Sequence, residues 1–186
     1  MALKATIFRA NVAIADIDHA YYADHQLTLA RHPSETDERM MIRLAALALN
    51  AHRVQTEYGG DATLAFGAGL SNPDDPDVSL RDFTGQTRLW IEVGQPEDKP
   101  LAKACGKADH VCVYCFHHAA EVWWRGIEGK LSRLQNLSVF RVPTLASQAL
   151  AALAQRSMQL QATVHEGTLT LSDAGNSVDL EPLRWK

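Results

Sequence analysis

The chain has 186 residues, of which 46% are hydrophobic and 22% charged, and its formal net charge at neutral pH is −4. This length suits one domain, since domains commonly contain roughly 100–200 residues, and the composition is ordinary for a soluble globular protein. The acidic balance argues against tight, non-specific binding to nucleic acid, which usually requires a basic surface, but it allows a local basic patch.

The start of the chain has neither a long apolar core nor a cleavage-site pattern, so we expect no signal peptide. No stretch approaches the roughly 20 apolar residues that a membrane-spanning helix needs. The three cysteines, Cys105, Cys112 and Cys115, are an odd number without a disulfide framework. These features predict a cytoplasmic protein without membrane contact.

Sequence periodicity predicts a β-hairpin followed by a helix. Residues 3–15 and 21–30 have the alternation and the β-branched residues of two paired strands. Ser34 is the expected N-cap of a helix that runs to about residue 51, with acidic residues in its first turn. Four apolar residues form the buried stripe of this helix: Met40, Leu44, Leu47 and Ala51.

The rest of the chain predicts alternating strands and helices. Strands are expected near 63–66, 77–80, 87–93, 111–116 and 137–142, helices near 96–108, 118–131 and 145–155, and a closing hairpin near 158–165 and 168–171. Between 34 and 116 the order is thus helix, three strands, helix, strand, which is the αβββαβ order of restriction-endonuclease-like cores. We predict an α/β (α+β) fold of one domain, residues 1–186. Its mixed sheet is flanked by helices, and β-hairpins are added at the amino- and carboxy-terminal ends.

Two acidic residues in this core resemble the site of metal-dependent nucleases of the PD-(D/E)XK type. Asp77 follows Pro76, and Glu92 stands inside the apolar strand Ile91-Glu92-Val93. A charged side chain in such a strand is costly unless it is paired or binds a metal. Carboxylates on adjacent strands supply the oxygen ligands that Mg²⁺ or Mn²⁺ prefers, and the ion would activate a water for phosphodiester hydrolysis. Asp77 and Glu92 are therefore the predicted metal ligands.

The lysine that this nuclease pattern carries two residues after the second acid is absent, and Gly94 stands there. Gln95 faces away from Glu92 on a regular strand, but a bulge at the glycine would turn it toward the site. Lys103 on the following helix is a second candidate. The alternative is that Lys103 and Lys107, which share one face of this helix, only form a solvated surface. The sequence predicts that Gln95 or Lys103 positions the attacking water.

Residues around the start of the first helix are further candidates for the site. Glu38, one turn inside that helix, is the expected supporting acid, and Glu35 is the alternative unless it only pairs with Arg39 at i+4. Arg31 is the candidate for a phosphate contact, because a guanidinium binds phosphate with two hydrogen bonds. An ion pair between Arg31 and a nearby acid is the equal alternative.

The segment Cys112-Val113-Tyr114-Cys115 looks like a metal or redox motif. On a strand, however, Cys112 and Cys115 face opposite sides, which disfavours shared metal binding. We interpret both as buried structural cysteines.

Several segments spread over the whole chain resemble the YaeQ family of bacterial proteins. They are Met1-Ala2-Leu3-Lys4-Ala5-Thr6-Ile7, Arg31-His32-Pro33-Ser34-Glu35-Thr36, Glu38-Arg39-Met40-Met41, Trp90-Ile91-Glu92-Val93-Gly94, Lys103-Ala104-Cys105, Trp123-Trp124, Asn136-Leu137-Ser138-Val139 and Leu160-Gln161-Ala162-Thr163. The resemblance implies a compact variant of the PD-(D/E)XK fold with strands added at both ends. It places the motif at Glu38, Asp77, Glu92 and either Gln95 or Lys103.

Two functions follow from this sequence as hypotheses. The first is a nuclease that depends on Mg²⁺ or Mn²⁺ and hydrolyses DNA or RNA. The alternative is a catalytically inert module of the same fold that binds nucleic acid or a protein partner in nucleic-acid or transcription-related interactions. The geometry around Gly94 and Gln95 is the feature expected to separate them, because an enzyme needs one of Gln95 and Lys103 near the two acids.

Overall fold

The computed structural model describes residues 4–72 and 74–186, which form two sheets and five α-helices. The strands are β1 (Thr6–Asp16), β2 (Tyr21–Arg31), β3 (Ala62–Phe66), β4 (Val78–Asp82), β5 (Thr87–Val93), β6 (His110–Cys115), β7 (Leu137–Arg141), β8 (Ser157–His165), β9 (Thr168–Ser172), β10 (Ser177–Leu180) and β11 (Leu183–Arg184). The helices are α1 (Asp37–Asn50), α2 (Arg53–Thr56), α3 (Asp98–Cys105), α4 (Ala120–Leu131) and α5 (Thr144–Ala152).

The first sheet joins the two ends of the chain in the spatial order β10-β9-β8-β1-β2. β1 pairs antiparallel with β2 and parallel with β8, so it lies at the centre of this sheet. Both predicted terminal hairpins are therefore present, but they combine into a sheet of their own instead of widening one central sheet. The prediction of a single mixed sheet was wrong on this point, because a parallel pairing between distant strands leaves no local turn signal.

The second sheet contains the segment in which the two acids were predicted. Its order is β11-β7-β6-β5-β4-β3, with antiparallel pairing from β3 to β5 and parallel pairing from β5 to β7. The interior strand β6 is buried along nearly its whole length, as expected for an apolar strand covered on both faces. The sheet is mixed, and it places β4 beside β5 at the candidate site.

Helix α1 packs between the sheets, and its predicted stripe is correct, since Met40, Leu44 and Leu47 are all buried. Its N-cap is Thr36 and not Ser34: the Thr36 hydroxyl accepts a hydrogen bond from the Arg39 amide at 3.1 Å. The Ser34 hydroxyl instead forms a hydrogen bond with His32 Nδ1 at 2.6 Å. The helix therefore starts two residues later than predicted. Glu35 consequently precedes the helix.

Two hydrophobic clusters cover the opposite faces of the second sheet, and the cysteines divide between them. Cys112 belongs to the cluster shared with α1 and the first sheet, whereas Cys115 belongs to the cluster under α3 and α4. Burial raises the pKa of the Cys112 thiol to about 11 and that of the Cys115 thiol to about 12. Inert thiols on opposite faces agree with the structural interpretation.

Most predicted elements have close counterparts, and the strand at 87–93 has the predicted limits. The first strand was predicted from residue 3, which lies outside the described residues. Four short elements were missed: α2, a 3-10 helix at Gly69–Ser71, β10 and the two-residue β11. They are too short to show a hydrophobic period, and β11 exists through its pairing with β7. None of the helices in the described ranges is long and apolar enough to span a membrane.

Candidate functional site

Asp77 and Glu92 lie side by side at the junction of β4 and β5. The Asp77 amide donates to the Ile91 carbonyl at 2.9 Å, and the Val93 amide donates to Asp77 Oδ2 at 2.7 Å, so the carboxylate lies across the end of β5. Both acids line an open cleft of about 420 Å³. Glu92 also lines a neighbouring cavity of about 320 Å³, whose other walls include Trp90 and three lysines: Lys99, Lys103 and Lys107.

Two arginines of α1 hold Asp77 and Glu35 in one buried network. Arg39 Nη2 donates to both oxygens of Asp77, at 2.8 and 2.7 Å, and Arg39 Nη1 donates to Glu35 Oε1 at 2.7 Å. Arg43, which is fully buried, contacts Glu35 at 3.1 Å and lies 3.7 Å from Asp77. The charges compensate one another in pairs, which is the condition for burying them.

Of the two arginines in this network, Arg39 lines the open cleft beside Asp77. Burial lowers the pKa of its guanidinium, but the charge and hydrogen bonds of Asp77, assisted by Glu35, outweigh burial and raise the pKa overall. Arg39 therefore brings a permanent positive charge to the cleft.

In the described part of the chain, no arginine lies at hydrogen-bonding distance from Glu92. Its Oε1 accepts a hydrogen bond from Trp90 Nε1 at 2.7 Å, which confirms that residues 90 and 92 share a face of β5. Burial, followed by the negative charge of Asp77, raises the pKa of Glu92 to about 7. In the absence of a cation, Glu92 thus retains a proton well above the usual range of a carboxyl group.

The segment after β5 places Gln95 at the cleft and Lys103 in the neighbouring cavity, which shares Glu92 with the cleft. Gly94 has a φ of +120°, a conformation that favours glycine, and the strand ends there. The Gln95 amide nitrogen donates to the Phe116 carbonyl, and its side chain lines the cleft with both acids. Lys103 Nζ is 2.6 Å from Asp74 Oδ1 in an exposed ion pair.

The other two predicted residues have partners outside the cleft. Glu38 points toward α5, where its Oε1 accepts a hydrogen bond from the Ser147 hydroxyl at 2.5 Å. Arg31 forms an ion pair with Asp37 at 2.6 Å and lies 5.4 Å from the centre of the Phe8 ring. The geometry thus favours Glu35 over Glu38 as the acid that belongs to the site. Of the two alternatives predicted for Arg31, the structure contains the ion pair with an acid.

The donor set of the cleft suits a hard divalent cation in part. Two adjacent carboxylates are the oxygen ligands that Mg²⁺ and Mn²⁺ take. Asp77, however, already accepts hydrogen bonds from Arg39 and the Val93 amide on both of its oxygens. A cation at Asp77 and Glu92 would therefore have to share Asp77 with Arg39 and displace the proton of Glu92.

Sequence reasoning missed Arg39 and Arg43 as parts of this site. A signal was present, since Glu35, Arg39 and Arg43 stand four residues apart and the residues from Met40 to Ala48 are otherwise apolar. Charges repeated at i, i+4 and i+8 in an apolar helix indicate a buried, paired network. The contact of these arginines with Asp77 could not be predicted, because it depends on how α1 packs over β4 and β5.

Comparison with known proteins gives a consistent family. A family model described as "YaeQ protein" matches residues 1–182. The "Uncharacterized protein YaeQ" of Salmonella typhi is 41% identical over 187 residues, covering 100% of this chain and 98% of the relative, and that of Escherichia coli K12 is 40% identical with the same coverage. Among solved structures, the YaeQ protein from Xanthomonas axonopodis pv. citri is similar with a TM-score of 0.89 and 42% identity over 98% of both chains. The YaeQ protein from Pseudomonas syringae is similar with a TM-score of 0.88 and 27% identity, covering 98% of this chain and 96% of the other.

Proposed function

Since the chain belongs to the YaeQ family, we propose from the chemistry of its cleft that it is a divalent-metal-dependent nuclease acting on DNA or RNA in the cytoplasm. The observation that carries this proposal is one open cleft in which two adjacent carboxylates, a permanent cation and a side-chain amide meet: Asp77, Glu92, Arg39 and Gln95. The order of α1, β3, β4, β5, α3 and β6 supports a restriction-endonuclease-like core.

Asp77 and Glu92 would hold Mg²⁺ or Mn²⁺, which when bound polarises a phosphoryl oxygen and lowers the pKa of a water. Glu35 holds Arg39 and Arg43 in place through contacts of 2.7 and 3.1 Å. The two arginines would in turn fix the orientation of the Asp77 carboxylate. Glu38 is left to position α5 through Ser147.

Arg39 is the residue that we propose in place of the lysine missing at position 94. A phosphodiester that reacts in the cleft develops negative charge on its non-bridging oxygens, and a nearby guanidinium stabilises that charge. Arg39 contacts Asp77 at 2.7 Å and lines the open cleft, so the positive charge comes from α1 instead of β5. Gln95 is held by the Phe116 carbonyl through its amide nitrogen, which leaves its amide oxygen to orient a water.

Basic residues beside the cleft suit an anionic chain. Lys99, Lys103 and Lys107 line the cavity on the other side of Glu92, and Lys107 lies 5.6 Å from the centre of the Trp90 ring. These lysines supply the local basic patch that a protein with a net charge of −4 would need for phosphate contacts. Arg31 could join them after releasing Asp37.

One observation favours the alternative of an inert binding module. Both oxygens of Asp77 already accept hydrogen bonds from Arg39 and the main chain, as in a carboxylate with a purely structural role. In this case the cleft and its lysines would bind nucleic acid or a protein partner without hydrolysis.

Calorimetric titration with Mg²⁺ and Mn²⁺ separates the two functions. Metal binding is expected in the native protein and in the control Asp179→Asn, which changes an exposed acid on β10, and is expected to disappear in Asp77→Asn and Glu92→Gln. Labelled single-stranded DNA, double-stranded DNA and RNA serve as substrates. Cleavage is expected in the same proteins that bind metal and is expected to be lost in Asp77→Asn and Glu92→Gln. Arg39→Gln is expected to bind metal but to lose cleavage. Absence of both metal binding and cleavage in the native protein would overturn the nuclease proposal in favour of the inert module.

A further inference from the structure

Three potential metal ligands meet outside the cleft, at the turn between β1 and β2. Asp16 is the last residue of β1, His19 lies in the turn that follows, and His52 lies at the junction of α1 and α2. One ligand atom from each residue lies within 4.8 Å of the other two. His19 Nδ1 is 3.0 Å from Asp16 Oδ2, and His52 Nδ1 is 3.1 Å from the same oxygen.

The environment of Asp16 points to a cation. Its side chain is completely buried, and in the described part of the chain the basic groups at ion-pair distance from it are the two imidazoles. Asp16 Oδ1 accepts a hydrogen bond from the His19 amide at 3.0 Å, and His19 Nδ1 lies 3.0 Å from each Asp16 oxygen. His52 Nδ1 approaches Oδ2 alone. Burying a charged group is costly unless it is paired or coordinates a metal, and a metal ion bound by all three side chains would place positive charge beside this carboxylate.

His52 provides an independent observation. Its side chain is 10% exposed, and among the described residues its Nδ1 has no hydrogen-bond partner, although Asp16 Oδ2 is only 3.1 Å away. In the tautomer that carries its proton on Nε2, such a buried, unpartnered Nδ1 is available to a metal ion.

The two rings also form a compact pair beside Asp16. They stack with their centres 3.6 Å apart and their planes within 1° of each other. This stack holds His19 Nδ1 and His52 Nδ1 at 3.0 and 3.1 Å from the same oxygen, Asp16 Oδ2.

We propose that Asp16, His19 and His52 form a binding site for a first-row divalent metal ion of the zinc type, with a fourth position open to water. Two imidazoles and one carboxylate are ligands that zinc takes and that magnesium does not favour. Tetrahedral zinc at about 2.0–2.1 Å from its ligands separates those ligands by roughly 3.3 Å, close to the present contacts. The His19 ring leaves the stack to direct its lone pair at the ion, which its exposed position in a turn permits.

Bound metal at this position would connect the β1–β2 turn to the junction of α1 and α2. Asp16 and His19 come from the first sheet, whereas His52 follows the helix that carries Arg39 and Arg43. The site is therefore a clip between the first sheet and α1, and its existence does not depend on hydrolysis in the cleft.

The test is titration of the chelator-treated full chain with Zn²⁺ by calorimetry, and with Co²⁺ by visible absorption. We expect one bound ion, the strong visible bands of four-coordinate Co²⁺, and proton release on binding. The variant His19→Gln should weaken binding by about tenfold or more, and His19→Gln with His52→Gln should abolish it. The matched control is His117→Gln with His118→Gln, which should leave binding unchanged. It removes another close pair of imidazoles, whose ring centres are 3.8 Å apart.

Controls keep the outcome unambiguous. If the double variant fails to fold, His19→Gln alone decides, because His19 is 44% exposed and its removal leaves the core intact. Asp77→Asn with Glu92→Gln should keep zinc binding while losing any Mg²⁺ binding, so the two sites can fail separately. Absence of bound Zn²⁺ in the native chain, or equal binding in native and His19→Gln proteins, would overturn the proposal.

Discussion

Two buried aspartates in this molecule are compensated by different bases. Asp77 is 2% exposed and faces the guanidinium groups of Arg39 and Arg43, whereas Asp16 is completely buried and faces the imidazoles of His19 and His52. Arginine stays charged at every physiological pH, but histidine gains and loses its proton near neutrality. The first aspartate is thus held in a permanent ionic network, and the second is in a cluster whose charge can change.

The difference has a consequence for ligands. A cation that approaches Asp77 competes with a permanent positive charge, whereas a cation that approaches Asp16 meets two imidazoles, which can themselves be metal ligands. Glu92, which has no arginine partner among the described residues, is the more accessible ligand of the cleft. Four substitutions test this comparison, and their expected effects on stability decrease from Arg43 to Lys103.

Removal of Arg43 should have the largest effect. Arg43→Met leaves Glu35 and Asp77 with one guanidinium between them, and breaking a buried charge network typically costs about 3–5 kcal/mol of unfolding free energy. Urea denaturation measures this loss. The control Arg125→Met affects an exposed pair with Glu121 at 3.9 Å and should change stability by less than about 1 kcal/mol. Equal effects of the two substitutions would contradict the description of Arg43 as part of a buried network.

Asp16→Asn should have the second largest effect. Asparagine can still accept the hydrogen bond of the His19 amide, but it loses the charged interaction with both imidazoles. Loss of hydrogen bonds to a charged group corresponds to about 1.5–3 kcal/mol. The measurement is urea denaturation with a chelator present, so that metal binding does not contribute. A variant as stable as the native chain would show that the histidines do not compensate Asp16 in the metal-free state.

Glu92→Gln should alter how stability depends on pH. The folded-state pKa of Glu92 is raised to about 7 from 4.5, so the folded chain binds more protons than the unfolded chain between these values, and stability falls as pH rises through this window. Glutamine mimics the protonated acid and does not titrate. Without metal, the variant should match the native chain near pH 4.5 and exceed its unfolding free energy by about 3 kcal/mol near pH 8. Parallel curves for the two proteins would show that Glu92 is not the group that titrates.

Lys103→Gln should have the smallest effect on stability. Its ion pair with Asp74 is exposed, at 60% and 68% for the two side chains, and solvent screens such pairs so strongly that they contribute little to stability. Thermal denaturation should therefore barely change, while affinity for a labelled oligonucleotide should fall if the lysines bind phosphates. A large loss of stability would instead assign Lys103 a structural role.

The sequence alone predicted features that depend on local periodicity. The stripe of α1, the limits of β5 and the opposite faces of Cys112 and Cys115 follow from periods of 3.6 and two residues, which decide the apolar face of an element. The adjacency of Asp77 and Glu92 was also predicted, because consecutive short strands usually pair.

Tertiary structure decided which distant groups meet. Nothing local shows that β1 pairs with β8, that Arg39 reaches Asp77, or that His52 approaches Asp16. Each of these contacts joins elements far apart in the chain, and its partners are chosen by the packing of both sheets around α1. Local periodicity therefore determined the faces of the elements, whereas the charges of the candidate sites acquired their partners only when those faces were packed together.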